Sequence, residues 1–169
     1  MGRFVKLLSV LCFVLFAAGI TMTPFGCKSG AKCGSSVCAN GGVCDNGKCN
    51  CPVGYEGKGC QTVARDAYLG NWTVYDTDTV HQGKNYAVNI IPGSSAPNDV
   101  VIRNLLNFYG RTLNAYVLHD SLYIPYQLMV GASIQGTGYR DRNNTIVINY
   151  IFTYLSFNFP VSGVTTLHP

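Results

Sequence analysis

The chain has 169 residues, of which 47% are hydrophobic and only 12% are charged. This length accommodates one medium-sized domain and a small module, and the hydrophobic share excludes a disordered chain. Ten Lys/Arg and eight Asp/Glu follow residue 27, so this part carries a charge of only +2. The basic residues are scattered, with no stripe that alternates with stacking aromatics, and we therefore expect no nucleic-acid partner.

The N-terminal segment has the organisation of an export signal. Arg3 and Lys6 form a positive region, and the 14 uncharged residues 7–20 that follow are too short to span a bilayer comfortably. We predict a cleaved signal peptide, helical in its apolar part, over residues 1–26. An uncleaved signal anchor over residues 7–26 is the alternative. In either case the rest of the chain lies outside the cytoplasm.

Cysteines dominate the next segment, because seven of the eight lie between residues 27 and 60. Those from Cys33 onward are spaced C-x4-C-x5-C-x4-C-x-C-x8-C, which allows fifteen disulfide pairings. A segment this short cannot bury enough apolar surface to offset its backbone entropy. We therefore expect it to be crosslinked in an oxidising compartment.

The residues between these cysteines carry a family resemblance. The run C-A-N-G-G-V-C at residues 38–44 and the ending C-N-C-P-V-G-Y-E-G-K-G-C at residues 49–60 resemble the EGF-like family in its short tenascin-type form. The resemblance covers residues 33–60 and implies the disulfide pairs Cys33–Cys44, Cys38–Cys49 and Cys51–Cys60. It implies no calcium site, since the stretch before Cys33 lacks the acidic residues of calcium-binding members.

Cys27 is the odd cysteine, placed directly after the apolar segment and Gly26. This position resembles the lipidated first residue of a mature bacterial lipoprotein, and the composition of the remainder resembles proteins of Bacteroidetes. We expect a lipid on Cys27 that anchors the protein extracytoplasmically to a membrane, the outer membrane, through a short linker over residues 27–32. A secreted protein, with Cys27 as a free thiol or in an intermolecular disulfide, is the alternative.

Residues 61–169 contain no cysteine and alternate between apolar and polar side chains. Tyr86, Val88 and Ile90 share one face of a segment, as Ile146 and Ile148 do in another, which indicates half-buried antiparallel strands. We predict a short helical turn at 62–69, a frayed tail at His168, and about seven strands, over residues 72–80, 85–91, 100–107, 113–118, 121–127, 132–139 and from 145. A closed barrel is favoured over a sandwich because few charges protect the sheet edges.

Four segments of this domain resemble a second family. The G-N-W run ending at Trp72, I-P-Y-Q at residues 124–127, I-Q-G-T-G at 134–138 and I-V-I-N-Y at 146–150 are similar to lipocalin-like barrel domains of Bacteroidetes lipoproteins. The similarity covers about residues 64–157. It implies an all-β chain in which an antiparallel up-and-down barrel, over residues 61–169, follows the EGF-like module.

No pattern in the chain points to catalysis. His119, Asp120 and Ser121 are adjacent in a predicted turn, and adjacent positions cannot align a nucleophile, a base and an orienting acid. No phosphate-binding loop or metal-ligand spacing occurs, so we expect no enzyme activity, no cofactor and no metal.

These observations predict a lipid-anchored binding protein of the cell envelope. We expect Trp72, Tyr86 and Tyr150 to line a barrel cavity that holds a small apolar or amphipathic ligand, unless they only fill the core. The alternative is an adhesion or scaffold protein that contacts envelope proteins or glycans through the EGF-like module and the outer face of the barrel.

Overall fold

The computed structural model describes residues 32–75, 85–108 and 110–169. These ranges contain fourteen β-strands, two short 3-10 helices and no α-helix. None of their helices is both long enough and apolar enough to cross a membrane. The predicted signal peptide and Cys27 lie outside the described residues.

Residues 33–60 form a small disulfide-rich module. Two hairpins, β1 (Lys32–Cys33) with β2 (Ser36–Val37) and β3 (Val43–Asp45) with β4 (Lys48–Asn50), make up its regular structure. Disulfide bonds join Cys33 to Cys44, Cys38 to Cys49 and Cys51 to Cys60, the pairing that the EGF-like resemblance implies. The bridged residues are 9 to 11 positions apart, and each such loop is worth roughly 2–3 kcal/mol in the chain-entropy model.

A third strand pair links the module to the next segment: β5 (Tyr55–Glu56), inside the module, pairs with β6 (Thr62–Val63), which follows it. A 3-10 helix at Ala64–Ala67 follows, within the helical turn predicted at residues 62–69.

The remainder is a closed antiparallel barrel, which confirms the predicted all-β architecture. Each strand pairs with the next along the chain, and the last pairs with the first. The eight strands are β7 (Gly70–Tyr75), β8 (Asn85–Pro92), β9 (Asp99–Arg103), β10 (Thr112–Leu118), β11 (Ser121–Met129), β12 (Ala132–Arg140), β13 (Ile146–Tyr154) and β14 (Phe159–His168).

Two sequence predictions about these strands are wrong. The tail is not frayed, because β14 is an eighth strand whose His168 pairs with Thr73 and packs edge-on against Tyr75. The strand predicted over residues 100–107 ends at Arg103, since Asn104 adopts a left-handed conformation at φ 61° and turns the chain into a 3-10 helix at Leu105–Asn107. Residues 76–80 of the first predicted strand lie outside the described residues.

Alternate residues over much of the sheet point into the barrel and fill it. The fully buried interior side chains are Val74, Val88, Ile90, Val100, Ile102, Val117, Leu122, Ile134, Ile146, Ile148 and Leu167. They are aliphatic and of medium size, which suits the close packing of a small eight-stranded barrel.

Aromatic side chains pack at both ends of the barrel. At the end distal to the disulfide-rich module, Phe108 stacks on Phe152 at 5.2 Å, and Tyr154 meets Phe152 edge-on at 4.9 Å. At the module end, the Nε1 of Trp72 donates a hydrogen bond to the carbonyl of Tyr68, whose side chain is only 2% exposed. The described interior is therefore a packed core with aromatic residues at each end.

Polar contacts seat the disulfide-rich module on the barrel. The Nη1 of Arg65 donates hydrogen bonds to the carbonyls of Gly93, Ala96 and Asp99, at 3.1, 3.0 and 2.9 Å, and so ties the 3-10 helix to the β8–β9 loop. The backbone N–H of Ala64 donates to the carbonyl of Gly54 at 2.9 Å. Because this arginine binds three backbone carbonyls at once, it holds the junction between the two parts of the chain.

Candidate binding site on the outer wall of the barrel

The three residues predicted to line an internal ligand site belong to the packed core. Trp72, Tyr86 and Tyr150 are 5%, 7% and 8% exposed, and all three are members of one buried cluster. Trp72 and Tyr86 do not line any of four pockets formed by the described residues, whereas Tyr150 lines the one on the outer wall together with exposed neighbours.

Tyr150 owes its position to a glycine on the neighbouring strand. It pairs with Gly163 of β14, and a Cβ atom added to Gly163 would overlap the ring and hydroxyl of Tyr150. The ring therefore lies against bare backbone on the inner face of the wall. Such a glycine–aromatic pair fills space that a second side chain would otherwise occupy.

The largest of these four pockets opens on the outside of the barrel, with a volume of about 630 Å³. Most of its side chains belong to outward positions that alternate with the core residues of β10 to β14. We call this feature the outer groove, and define it by Tyr116, Tyr123, Pro125, Tyr126, Gln135, Thr137, Asn149, Ile151, Ser162 and Val164.

Strand register arranges these side chains in two rows across the wall. The longer row crosses five strands through directly paired residues, in the order Tyr116, Tyr123, Thr137, Asn149, Val164. The shorter row runs beside it through Gln135, Ile151 and Ser162. Neighbouring side chains within a row are close enough to contact one ligand together.

A bulge in β11 shapes one side of the outer groove. The register of β11 against β12 shifts between Ile124 and Gln127, and β11 pairs with β10 only through residues 121–123. Pro125 and Tyr126 occupy the bulge and pair with neither neighbouring strand. The N–H that proline lacks therefore costs no hydrogen bond of the sheet. The side chain of Tyr126 is 61% exposed there.

The amide of Gln127 bridges the gap that the bulge leaves between β10 and β11. Its Oε1 accepts a hydrogen bond from the backbone N–H of Asn114 at 3.0 Å, and its Nε2 donates to the carbonyl of Asn114 at 2.9 Å. A side chain thus takes the place of the absent main-chain pair. This bridge lets the strands separate without leaving Asn114 unsatisfied.

Aromatic rings gather at one end of the outer groove. The rings of Tyr116 and Tyr123 stack with centroids 5.3 Å apart and planes 12° from parallel. The exposed ring of Tyr126 completes this end. The middle carries the amides of Gln135 and Asn149 with the hydroxyls of Thr137 and Ser162, and the far end is aliphatic.

The outer groove carries no formal charge. Residues 121–139 and 143–169 contain no Asp, Glu, Lys or Arg, and the one lining residue outside these stretches is a tyrosine, Tyr116. The alternative drawn from the sequence named the outer face of the barrel but none of these residues, because only strand register brings them together. The uncharged stretches were the available signal.

Charged residues gather instead in a cleft at the junction between module and barrel. This cleft, of about 470 Å³, is lined by Glu56, Tyr68, His119, Asp120, Arg140, Asp141 and Arg142 among others. His119 and Asp120 form the tight β10–β11 turn there, with His119 in a left-handed conformation at φ 54°. The hydroxyl of Tyr68 donates to the carbonyl of Asp120 at 2.6 Å, so this turn serves as a support for the junction.

Burial raises the pKa of Tyr68 to about 12, and the nearby Asp120 carboxylate adds to the rise, while a hydrogen bond from the Arg140 backbone opposes it. The phenol is therefore neutral at physiological pH and acts as a hydrogen-bond donor.

One group of sulfur atoms has metal-like spacing within the described residues. The sulfurs of Cys33, Cys38 and Cys49 lie within 4.8 Å of one another. Each belongs to a disulfide bond, so none offers the thiolate that a zinc ion requires.

The distal end of the barrel exposes a second apolar surface. The β11–β12 and β13–β14 hairpins lie side by side there, joined by a 3.0 Å hydrogen bond from the N–H of Leu155 to the carbonyl of Gly131. Their exposed side chains are Leu128, Val130, Leu155, Phe157 and Phe159, at 50–79% exposure.

Comparisons with known proteins give no match to this chain among protein-family models, curated proteins or solved structures.

Proposed function

We propose that this chain is an exported, non-catalytic binding protein of the cell envelope that contacts its partner through the outer groove. One observation carries the proposal: the described interior of the barrel is a packed core, whereas the largest of the four pockets lies on the outer wall. This favours the adhesion or scaffold alternative over a small apolar ligand inside the barrel. An internal ligand would have to displace close-packed core side chains, at several kcal/mol.

The placement in the envelope rests on the cysteines and the N-terminal segment. Three disulfides in a module of fewer than thirty residues are typical of proteins folded in an oxidising compartment. Their pairing supports identity as an EGF-like module, which we propose acts as a spacer after a lipid-anchored Cys27. The eight-stranded antiparallel barrel supports the lipocalin-like resemblance, and the proposed origin in Bacteroidetes rests on that resemblance alone.

Site-specific photocrosslinking in the host tests the proposed surface. Benzoylphenylalanine replaces Thr137, an exposed residue in the middle of the outer groove. The matched control carries it at Ala87, an exposed position on β8, four strands away on the opposite wall. We expect an adduct from position 137 that is at least tenfold more abundant than any from position 87.

Two results would reject the proposal. Equal adduct yields from the two positions would mean that the outer groove is not the binding surface. A small molecule that copurifies with the protein in native mass spectrometry, and persists when Asn149 is replaced by Trp to block the outer groove, would instead support an internal ligand.

A further inference from the structure

We propose that the outer groove binds an uncharged oligosaccharide. This inference rests on the proposed function, because it names the chemical class of the ligand for the same surface. The proposal follows from the charge, the hydrogen-bonding groups, the aromatic platform and the length of the outer groove.

The absence of charge excludes the ligands that proteins bind through ion pairs. Phosphorylated, sulfated and polycarboxylate ligands are held by Arg or Lys, which supply strong charge-assisted hydrogen bonds. The lining side chains of the outer groove include neither residue. A neutral ligand needs no charged side chain as a partner, so the lack of charge in the outer groove does not weaken its binding.

The polar side chains of the outer groove match the hydroxyls of a sugar. Gln135, Thr137, Asn149 and Ser162 carry amides and hydroxyls, each of which can donate and accept hydrogen bonds. Sugar hydroxyls also both donate and accept, so either partner can adjust to the other. A purely apolar ligand would bury these four groups without hydrogen bonds, which costs about 1–3 kcal/mol for each one fully desolvated.

The tyrosine rings supply a platform for the apolar face of a pyranose. Tyr116 and Tyr123 hold each other in a fixed stacked arrangement, and Tyr126 lies beside them in the bulge. A tyrosine ring offers an apolar body with a polar tip, and its negative face attracts the C–H groups of a sugar ring. Because the first two rings are already stacked, little side-chain entropy is lost on binding.

The extent of the outer groove fits a chain of sugars better than a single one. Its longer row crosses five strands, which corresponds to about 19 Å at the usual strand spacing. An extended peptide would instead seek the backbone groups of a free sheet edge. Where β10 and β11 separate beside the outer groove, the amide of Gln127 already occupies the backbone N–H and carbonyl of Asn114.

Binding of neutral hexasaccharides to the purified full chain tests the inference. The probes are maltohexaose, cellohexaose, xylohexaose and mannohexaose, with hexagalacturonate as the charged comparator, measured by titration calorimetry. We expect at least one neutral probe to bind with a Kd of about 0.1 mM, and the comparator to bind at least tenfold more weakly.

Three variants locate the binding. Tyr123→Ala removes a ring of the platform and Asn149→Ala removes a central amide, so each should raise the Kd at least tenfold. Tyr123→Phe keeps the ring and its stacking, and should stay within threefold of the wild type. The matched control is Tyr75→Ala, which removes an exposed ring on β7, outside the outer groove, and should leave the Kd within twofold.

The inference is wrong if none of the neutral probes binds with a Kd below about 1 mM, or if Tyr123→Ala and Asn149→Ala both leave the Kd unchanged. The two proposals fail separately. A protein adduct from position 137 without saccharide binding rejects the oligosaccharide and keeps the surface, whereas equal crosslinking from positions 137 and 87 rejects the surface itself.

Discussion

Thr165 of β14 carries a buried hydroxyl inside the barrel. Its side chain is 4% exposed, it pairs with Ile148, and its Oγ1 has no hydrogen-bond partner among the described residues. A buried hydroxyl of this kind has lost its hydrogen bonds to water and has gained none in the protein, which costs about 1–3 kcal/mol. Valine has the same shape and lacks the polar atom.

We therefore expect Thr165→Val to stabilise the protein by about 1 kcal/mol, measured as the free energy of unfolding in urea. Thr166→Val is the matched control, since Thr166 is the next residue and points to the partly exposed outer face. Its effect should lie within about 0.5 kcal/mol of zero. A Thr165→Val protein less stable than the wild type would show that the hydroxyl is bonded.

Tyr150 shows how far a single residue could be interpreted from the sequence. Period-two alternation correctly placed it on the inward face of its strand. Whether that face meets a ligand or the core depends on Gly163, which lies opposite Tyr150 on the next strand and gives its ring room to lie flat. The pattern within one strand contains no information about the size of the residue that register brings opposite.

At the scale of elements, the bulge in β11 depends on one side chain. Gln127 restores both main-chain hydrogen bonds of Asn114 where β10 and β11 separate. We expect Gln127→Ala to lower the free energy of unfolding by about 1–2 kcal/mol and to speed hydrogen exchange of the Asn114 amide at least tenfold. Both effects follow because the backbone N–H and carbonyl of Asn114 lose their hydrogen-bond partner in the protein.

Two comparisons make this prediction specific. Gln135→Ala, at an exposed glutamine of the neighbouring strand, should change the free energy of unfolding by less than about 0.5 kcal/mol. Exchange of the Val117 amide, which donates to the carbonyl of Asn98 at 2.8 Å, should stay unchanged in Gln127→Ala. Unaltered exchange at Asn114 would mean that the glutamine does not bridge the strands.

The eighth strand was the element that sequence analysis missed. Phe159, Pro160, Val161 and Ser162 lie in β14 and are all exposed, so the segment lacks the alternation that identifies a half-buried strand. β14 is a strand because nine of its residues pair with β13 and its end pairs with β7. Local propensity cannot report such pairing, which joins the two ends of the barrel domain.

At the scale of the whole molecule, Tyr68 couples the module to the barrel in a way that depends on pH. Its pKa is raised to about 12 in the folded protein by burial and by Asp120, against about 10 in an unfolded chain. A raised pKa means that the neutral phenol favours folding below pH 10 and that this contribution is lost as the pH rises toward 12.

We expect the stability advantage of the wild type over Tyr68→Phe to shrink by about 1 kcal/mol between pH 8 and pH 11. Urea unfolding at several pH values measures it. The phenylalanine variant keeps the other tyrosines, so their ionisation cancels in the difference. Parallel pH profiles for the two proteins would show that the Tyr68 phenol is not protected from ionisation.

The sequence by itself determined the division of this protein into a cysteine-rich module and a cysteine-free all-β domain. It did so because disulfide spacing and period-two alternation are local patterns, visible within ten or so residues. Only the tertiary structure decided that the barrel closes through β14, that Trp72, Tyr86 and Tyr150 lie in a filled core, and that the outer groove is the candidate site. The physical reason is register: it aligns side chains from five strands in one row, and it arises from pairing between residues far apart in the chain.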